Sequence, residues 1–163
     1  MKPPNKRELI ETIARAIHEE YVQQQKKSGQ TPQTNPSMVG WEELPEHLKE
    51  SNWQHAEHIG IKLKAIGCKI VQLVDKKAEL FRFTPEEIER LARIEHERWV
   101  EERKKSGWKY GATKDIQKKI SPYVVSYDQI TEDIKELDRN AVRNIPAVLA
   151  RAGFQIKRLK TDS

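Results

Sequence analysis

Residues 91–100 read LARIEHERWV and residues 13–22 read IARAIHEEYV, so one pattern occurs twice in a chain of 163 residues. Each pattern leads through three polar residues into a Lys-Lys-Ser-Gly tetrapeptide. The two patterns lie 78 residues apart, whereas the later segments WEEL and YDQI lie 86 residues apart. Internal similarity of this kind is typical of duplicated structural units. The chain therefore contains two copies of one unit, and the second copy carries 8 extra residues between Gly107 and Pro122.

Each copy is predicted to fold as helix, loop and helix, which makes the chain mainly α. Apolar residues recur near helical spacing in the first helix of each copy. Residues 84–87, Thr-Pro-Glu-Glu, provide a capping hydroxyl, a proline for the first turn and carboxylates near the positive end of the helix dipole. The Ser-Gly pairs at 28–29 and 106–107 are predicted to end these helices, because glycine readily adopts a left-handed conformation.

The second helices are predicted over 52–66 and 138–152, ending at Gly67 and Gly153. Three short segments favour strand or extended structure, namely 70–74, 123–127 and 154–159. The predicted domains are a degenerate repeat over 9–70, a linker and helix start over 71–87, and a repeat with complete motifs over 88–156. We expect the two repeats to be related by a pseudo-two-fold axis and to form one compact unit.

The composition indicates a hydrophilic surface and a small hydrophobic core. Hydrophobic residues are 36% and charged residues 34% of the chain, and the mean hydropathy is −0.84. No apolar run approaches the roughly 18–20 residues of a membrane helix, and no apolar stretch follows the N-terminal charges. The single cysteine, Cys68, cannot form an internal disulfide. We therefore expect a cytoplasmic protein, whose net charge of +5 suits anions without choosing among them.

Four motifs of the second copy occur together in one known family. They are HERW at 96–99, SGWKYG at 106–111, KKISPYVVSY at 118–127 and KELDRNAVR at 135–143. Together they are very similar to the ryanodine-receptor repeat, or RyR domain. The first copy resembles the degenerate partner repeat of bacterial tandem proteins, through TNPSMV, WEELPE and LKESN. The resemblance covers nearly the whole chain.

The resemblance implies a ligand-binding module rather than a pore. In the animal channels, a cleft between paired repeats holds an adenine nucleotide against the tryptophan of each Gly-Trp motif. This chain departs from that pattern, because Gln30 follows Gly29 where the first tryptophan would stand, and only Trp108 remains. It also has Trp53 at the position that corresponds to Arg139.

The leading hypothesis is a site for an anionic, nucleotide-like ligand in the cleft between the repeats. Aromatic rings stack on bases, and arginine or lysine meets phosphate. Trp108 and Tyr110 would stack on the base. The expected charge-bearing residues are Lys109, Arg98, Arg139 and Arg143. The expected floor of the cleft is formed by His18, His96, Tyr21 and Trp99.

Each of these residues has a structural alternative. Trp108 and Tyr110 can form a plug that packs the loop onto the helices. The arginines can form salt bridges with Asp138, Glu136 or Glu95, and the two histidines can hydrogen-bond a loop. His18 and His96 do not open a zinc-protease motif, because valine occupies the position of the second histidine. His55 and His58 are three residues apart but have no evident third metal ligand.

No catalytic motif is present, since the sequence lacks a nucleophile elbow, a phosphate loop and a dinucleotide fingerprint. We therefore expect no enzyme activity, no cofactor and no metal. The expected function is sensing or sequestering a small anion such as an adenine nucleotide or a nucleotide-derived signal. The alternative is a protein-interaction scaffold that binds no small ligand. Nucleic acid is a weaker candidate partner, because basic and acidic residues alternate instead of forming a stripe.

Overall fold

The computed structural model describes residues 5–75 and 79–159. The chain divides into two compact units, the first drawn from Met1–Phe81 and Ile145–Ser163 and the second from Arg82–Asn144. The units do not coincide with the sequence repeats, because the end of the second repeat belongs to the first unit. The superposition of 9–70 on 88–156 stays a prediction.

Helices dominate both units, as the sequence predicts. The helices are α1 (Lys6–Lys27), α2 (Glu46–Ala65), α3 (Pro85–Lys105), α4 (Glu132–Arg143) and α5 (Ile145–Arg151). The strands are β1 (Cys68–Gln72), β2 (Lys109–Tyr110), β3 (Ile120–Ser121) and β4 (Phe154–Arg158). One three-ten turn precedes α2, at Trp41–Glu43, and another precedes α4, at Tyr127–Gln129.

In the first unit, α1 packs against α2 and α5, and β1 pairs with β4 in an antiparallel ribbon. The core includes Ile13, Ile59, Leu63 and Leu149, which are almost completely buried. Ile70 pairs with Ile156 at the centre of the ribbon. These two residues are 86 apart and so occupy the same position in their copies. Each pair of the ribbon therefore has an equivalent pair when the two copies are interchanged, such as Cys68 with Arg158 and Gln72 with Phe154. The strands predicted at 70–74 and 154–159 are confirmed, although β1 is shifted two residues towards the N-terminus.

In the second unit, α4 and the three-ten turn at Tyr127–Gln129 pack onto α3. Within the extra loop, β2 pairs with β3 in parallel, Lys109 with Ile120 and Tyr110 with Ser121. A Cβ at Gly111 would lie 2.2 Å from Ile120 Cγ2, a distance that no side chain can occupy. The last glycine of the GWKYG motif is therefore required by the close approach of Ile120.

Local signals in the sequence identify the helix ends. Thr84 accepts a hydrogen bond from the Glu87 backbone, Glu87 reaches back to Thr84, and Pro85 occupies the first turn. Both Ser-Gly pairs end their helices, and the glycine of the second pair, Gly107, has φ +90°.

Two sequence expectations need correction. The second helices begin six residues earlier than predicted, at Glu46 and Glu132, and the one in the second copy breaks between α4 and α5. Pro146 explains the break, because its ring clashes with the carbonyl four residues earlier and offers no N–H. Residues 123–127 do not form a strand: the Ser126 backbone N–H instead donates to the Gln129 side chain, and the Gln129 backbone N–H donates to the Ser126 carbonyl, at the start of the three-ten turn that follows.

No helix within residues 5–75 and 79–159 combines the length and the apolar character needed to cross a bilayer.

Replacing Thr84 by alanine removes the acceptor for the Glu87 backbone N–H, 3.2 Å away. We expect the second unit to lose about 1 kcal/mol of stability, measured by thermal or urea unfolding. Thr113→Ala is the matched control, because Thr113 is exposed in a bend of the same unit; its effect should stay within about 0.5 kcal/mol. Equal losses in the two variants would contradict the capping role.

Candidate functional site

Near the end of α3, one guanidinium lies within cation–π distance of two indole rings. Trp99 and Arg103 are four residues apart on the helix and share a face, and Trp108 returns to that face after the turn at Gly107. The Arg103 Cζ lies 5.3 Å from the ring centroid of Trp99 and 5.2 Å from that of Trp108. The Trp108 backbone N–H donates to the Arg103 carbonyl at 2.9 Å. We call Trp99, Arg103 and Trp108 the Arg103 stack.

The guanidinium of Arg103 has no acidic partner among residues 5–75 and 79–159. Its Nε is buried and has no hydrogen-bond partner within that part of the chain. Cation–π contacts with indoles hold the group in place but leave its N–H donors unused. An anion that reached this group would therefore meet donors that are already positioned.

The three arginines predicted to bear the ligand's charge are instead paired with carboxylates. Arg98 contacts Glu95 at 2.7 Å and Glu102 at 2.9 Å. Arg139 contacts Glu89 at 2.8 Å, Glu132 at 3.1 Å and Glu136 at 3.3 Å. Arg143 contacts Glu136 and the Asn140 side chain. These contacts match the salt-bridge alternative for Glu95 and Glu136.

Arg139 is the centre of a network that includes the buried ring of Tyr127. The Tyr127 hydroxyl donates to Glu89 Oε1 at 2.6 Å. Hydrogen bonds from Arg139 and Tyr127 hold the pKa of Glu89 below its ordinary value. Burial, together with the hydrogen bond to Glu89, raises the pKa of Tyr127 to about 12. We call Glu89, Tyr127, Glu132, Glu136 and Arg139 the Arg139 network, and it ties the three-ten turn to α3 and α4.

The two histidines of the repeated motif hold loops. His18 Nε2 donates to the Val39 carbonyl at 2.6 Å, and His96 Nε2 donates to the Val125 carbonyl at 2.8 Å. Both histidines are buried. The ring of His96 also stacks on Trp99, with centroids 5.7 Å apart and an interplanar angle of 23°. His96 thus joins the loop to the Arg103 stack.

The remaining predicted residues are not members of the Arg103 stack, and two of them belong to the other unit. Lys109 is exposed, and Tyr110 is 61% exposed on a groove of about 910 Å³ between α3 and the loop. Glu97 and Glu101 line this groove with Lys104, so it is not basic, and Trp108 is not part of its lining.

His18 and Tyr21 belong to the first unit. The Tyr21 hydroxyl accepts a hydrogen bond from the Asn35 amide at 2.9 Å. These two residues therefore have structural contacts of their own within that unit.

Sequence reasoning missed Arg103 and Glu89. Arg103 follows Trp99 by four residues on a helix, a spacing that could have indicated a cation on an indole face. Glu89 is 50 residues from Arg139, and no local signal connects them. Within the described ranges, no three or more histidine, cysteine or acidic residues are grouped so that they could hold a metal ion. His55 and His58 are therefore not part of such a group.

The phenol of Tyr127 should ionise late in a spectrophotometric titration. The raised pKa means that the folded state favours the neutral phenol. The stability contributed by this group is therefore complete below pH 10.0, the unfolded value, and is lost as the pH rises towards about 12. Tyr127→Phe should remove the late step and flatten this loss. Ionisation of Tyr127 near pH 10.0, with no later step for Tyr127→Phe to remove, would contradict the buried hydrogen bond to Glu89.

A protein-family model matches just over half of the chain. The model of the RyR domain matches residues 75–158. This range begins before α3 and ends with β4, and it contains both the Arg103 stack and the Arg139 network. On this match, the chain belongs to the RyR domain family.

Proposed function

We propose that this RyR-domain protein is a non-enzymatic ligand-binding module, and that the Arg103 stack is the contact point for an anionic, nucleotide-like ligand. The observation that carries the proposal is the guanidinium of Arg103, which makes cation–π contacts with two indoles and has a buried Nε without a hydrogen-bond partner within the described residues. A sensor or a sequestering protein would use such a site.

The energetics of Arg103 support an anionic ligand. A buried donor left without an acceptor costs about 1–3 kcal/mol, and a hydrogen bond to a charged group contributes about 1.5–3 kcal/mol. A phosphate or carboxylate that accepts a hydrogen bond from Arg103 would remove the free-energy cost of the unsatisfied donor and would contribute the free energy of a charged hydrogen bond. Neighbouring Lys104 and Lys105 extend the positive charge of the last helical turn. The same cations also stabilise the negative end of the helix dipole, so they support the proposal without carrying it.

The ring of Trp108 supports a ligand with an aromatic base. Trp108 is half-buried, and one side of the ring is occupied by Arg103. A base that stacks on an aromatic side chain gains about 1–3 kcal/mol in single-stranded nucleic-acid complexes. The proposal therefore keeps Trp108, Trp99 and His96 at the site and replaces the three paired arginines with Arg103 as the charge-bearing residue.

The first copy lacks this chemistry. Gln25 corresponds to Arg103, and Gln30 corresponds to Trp108. The Asn35 amide lies between the Tyr21 hydroxyl at 2.9 Å and the Gln25 side chain at 3.5 Å. Because neutral amides replace the cation and the indole, we assign anion recognition to the second copy.

A titration of nucleotides against three proteins tests the proposal. Isothermal calorimetry with adenosine mono-, di- and triphosphates and cyclic nucleotides should identify a binder. Trp108→Ala should weaken it by roughly 1–3 kcal/mol, and Arg103→Ala by about 1.5–3 kcal/mol. Arg90→Ala is the control, because Arg90 is an exposed arginine on the same helix. Its affinity should equal that of the wild type.

Melting curves separate the ligand role from the structural one. If no nucleotide binds, or if Trp108→Ala lowers the melting temperature but leaves the affinity intact, Trp108 is a plug that packs the loop. The scaffold alternative would then replace the ligand-binding proposal.

A further inference from the structure

The net positive charge of the chain is concentrated in one segment of the second unit. Residues 103–120, from the last turn of α3 into β3, contain seven of the 30 lysines and arginines but only one of the 25 acidic residues, Asp115. The rest of the chain has 23 basic and 24 acidic residues, so this segment accounts for the whole net charge of +5. We call residues 103–120 the lysine segment.

The first copy has no counterpart to the charge of this loop. Its loop over 28–40 contains no charged residue, whereas the longer loop of the second copy carries four lysines, at 109, 114, 118 and 119. The alternation of basic and acidic residues, which argues against nucleic acid for the chain as a whole, does not extend into the lysine segment. The insertion in the second copy therefore brings a basic surface with it.

Most of the lysines in the segment are not neutralised by the protein itself. Five of them are exposed, and their ammonium groups have no hydrogen-bond or ion-pair partner within residues 5–75 and 79–159. These five are Lys104, Lys105, Lys109, Lys114 and Lys118. Several such charges favour a polyanion over a single small ion, because each phosphate contact releases a counterion.

Hydrogen bonds hold the loop of the lysine segment against the end of α3. The Lys109 backbone N–H donates to the Lys119 carbonyl at 2.9 Å, and the Lys119 ammonium group donates to the Ser106 carbonyl at 2.8 Å. The Trp108 backbone N–H donates to the Arg103 carbonyl at 2.9 Å. The lysines of the helix end and those of the loop are thereby held close to the Arg103 stack.

Aromatic rings lie among these lysines. Tyr110 is 61% exposed, and Trp108 is half-buried. Stacking on a base requires an accessible ring, and a single strand presents unpaired bases along a chain of phosphates. A membrane surface would need a larger apolar face, since Ile116 is the one large aliphatic side chain that this fully described segment exposes. The combination of lysines and aromatic rings therefore favours nucleic acid.

We infer that the lysine segment binds single-stranded nucleic acid, with one nucleotide at the Arg103 stack and the flanking phosphates at the exposed lysines. Tyr110 provides a second ring for an adjacent base. The inference rests on the proposed function, because it names a polynucleotide strand as the source of the nucleotide-like ligand. RNA and DNA present the same phosphates and the same kind of base to this surface.

Fluorescence anisotropy with labelled oligonucleotides tests the inference. The probes are oligothymidylate and oligouridylate of about 12 nucleotides, within the strand lengths that a single-strand-binding module covers. We expect saturable binding of the single strands, and weaker binding of oligothymidylate annealed to oligoadenylate. Lysines alone would favour the duplex, which has the higher charge density, so a preference for single strands reports stacking. Tighter binding of oligouridylate assigns RNA, and tighter binding of oligothymidylate assigns DNA.

Two double variants test the lysines. Lys105→Gln/Lys109→Gln should make the slope of log affinity against log salt concentration shallower by about 1.4, since each single-strand phosphate contact contributes about 0.7. Lys26→Gln/Lys27→Gln is the matched control, because it removes two exposed lysines from the equivalent tetrapeptide of the first copy. Its slope should equal that of the wild type. Tyr110→Ala should lower the affinity about tenfold, the effect of one stacked base.

The remaining outcomes separate this inference from the proposed function. If adenosine phosphates bind but neither oligonucleotide does, the inference is overturned and the proposed function stands. Strand binding that depends on the lysines but not on Arg103 would contradict the proposed function, and with it the placement of a nucleotide at the stack. Tighter binding to the duplex, or to vesicles of equal parts phosphatidylcholine and phosphatidylserine, would also overturn the inference. Circular dichroism melts must show that each variant is folded.

Discussion

A hydrogen bond from a buried histidine to a loop carbonyl organises each copy of the repeat. His18 donates to the carbonyl of Val39, and His96 donates to that of Val125, across 21 and 29 residues of sequence. The difference of eight residues is the length of the insertion in the second loop. A buried imidazole must be paired, and the carbonyl fixes where the loop crosses the helix. The aromatic residue two positions later then packs on the histidine, Trp41 in the first copy and Tyr127 in the second.

From His96 the second copy extends in two directions. Along α3, the imidazole stacks on Trp99, and the stack continues through Arg103 to Trp108. Across the loop, the ring of Tyr127 leads to Glu89 and the Arg139 network. Every charged group of the network has an ion-pair partner, since Lys135 and Arg143 add two cations to Arg139 against the three carboxylates, and this suits a structural role. The guanidinium of the Arg103 stack has none within residues 5–75 and 79–159, and this contrast is the physical basis for assigning ligand recognition to Arg103.

Local features of the sequence predict much of the fold. The cap at Thr84 and the turn at Gly107 depend only on a few neighbouring residues, and both occur as predicted. The run at 123–127 misled the strand prediction, because β propensity competes with the cap that Ser126 and Gln129 form.

The candidate site was less accessible to sequence reasoning than the fold. Arg139 and Glu89 are 50 residues apart in the sequence, and only the folded structure shows that they are in contact. Arg103 is recognised because no carboxylate among residues 5–75 and 79–159 forms an ion pair with it, and this becomes visible only when the neighbouring helices are in place. The repeat alignment nevertheless carries useful information, since the exchange of Arg139 for Trp53 already distinguishes the charge balance of the two copies.

The most direct measurement of the central claim is the Nε–H resonance of Arg103 in ¹H–¹⁵N spectra, assigned with an Arg103→Lys variant. Addition of a nucleotide should move this resonance progressively to saturation, because a phosphate oxygen would become the hydrogen-bond acceptor that the group lacks. The Nε–H resonance of Arg98, which is already paired with Glu95 at 3.1 Å, should move much less. A nucleotide titration that leaves the Arg103 resonance unmoved would contradict the assignment of Arg103 as the anion-binding residue.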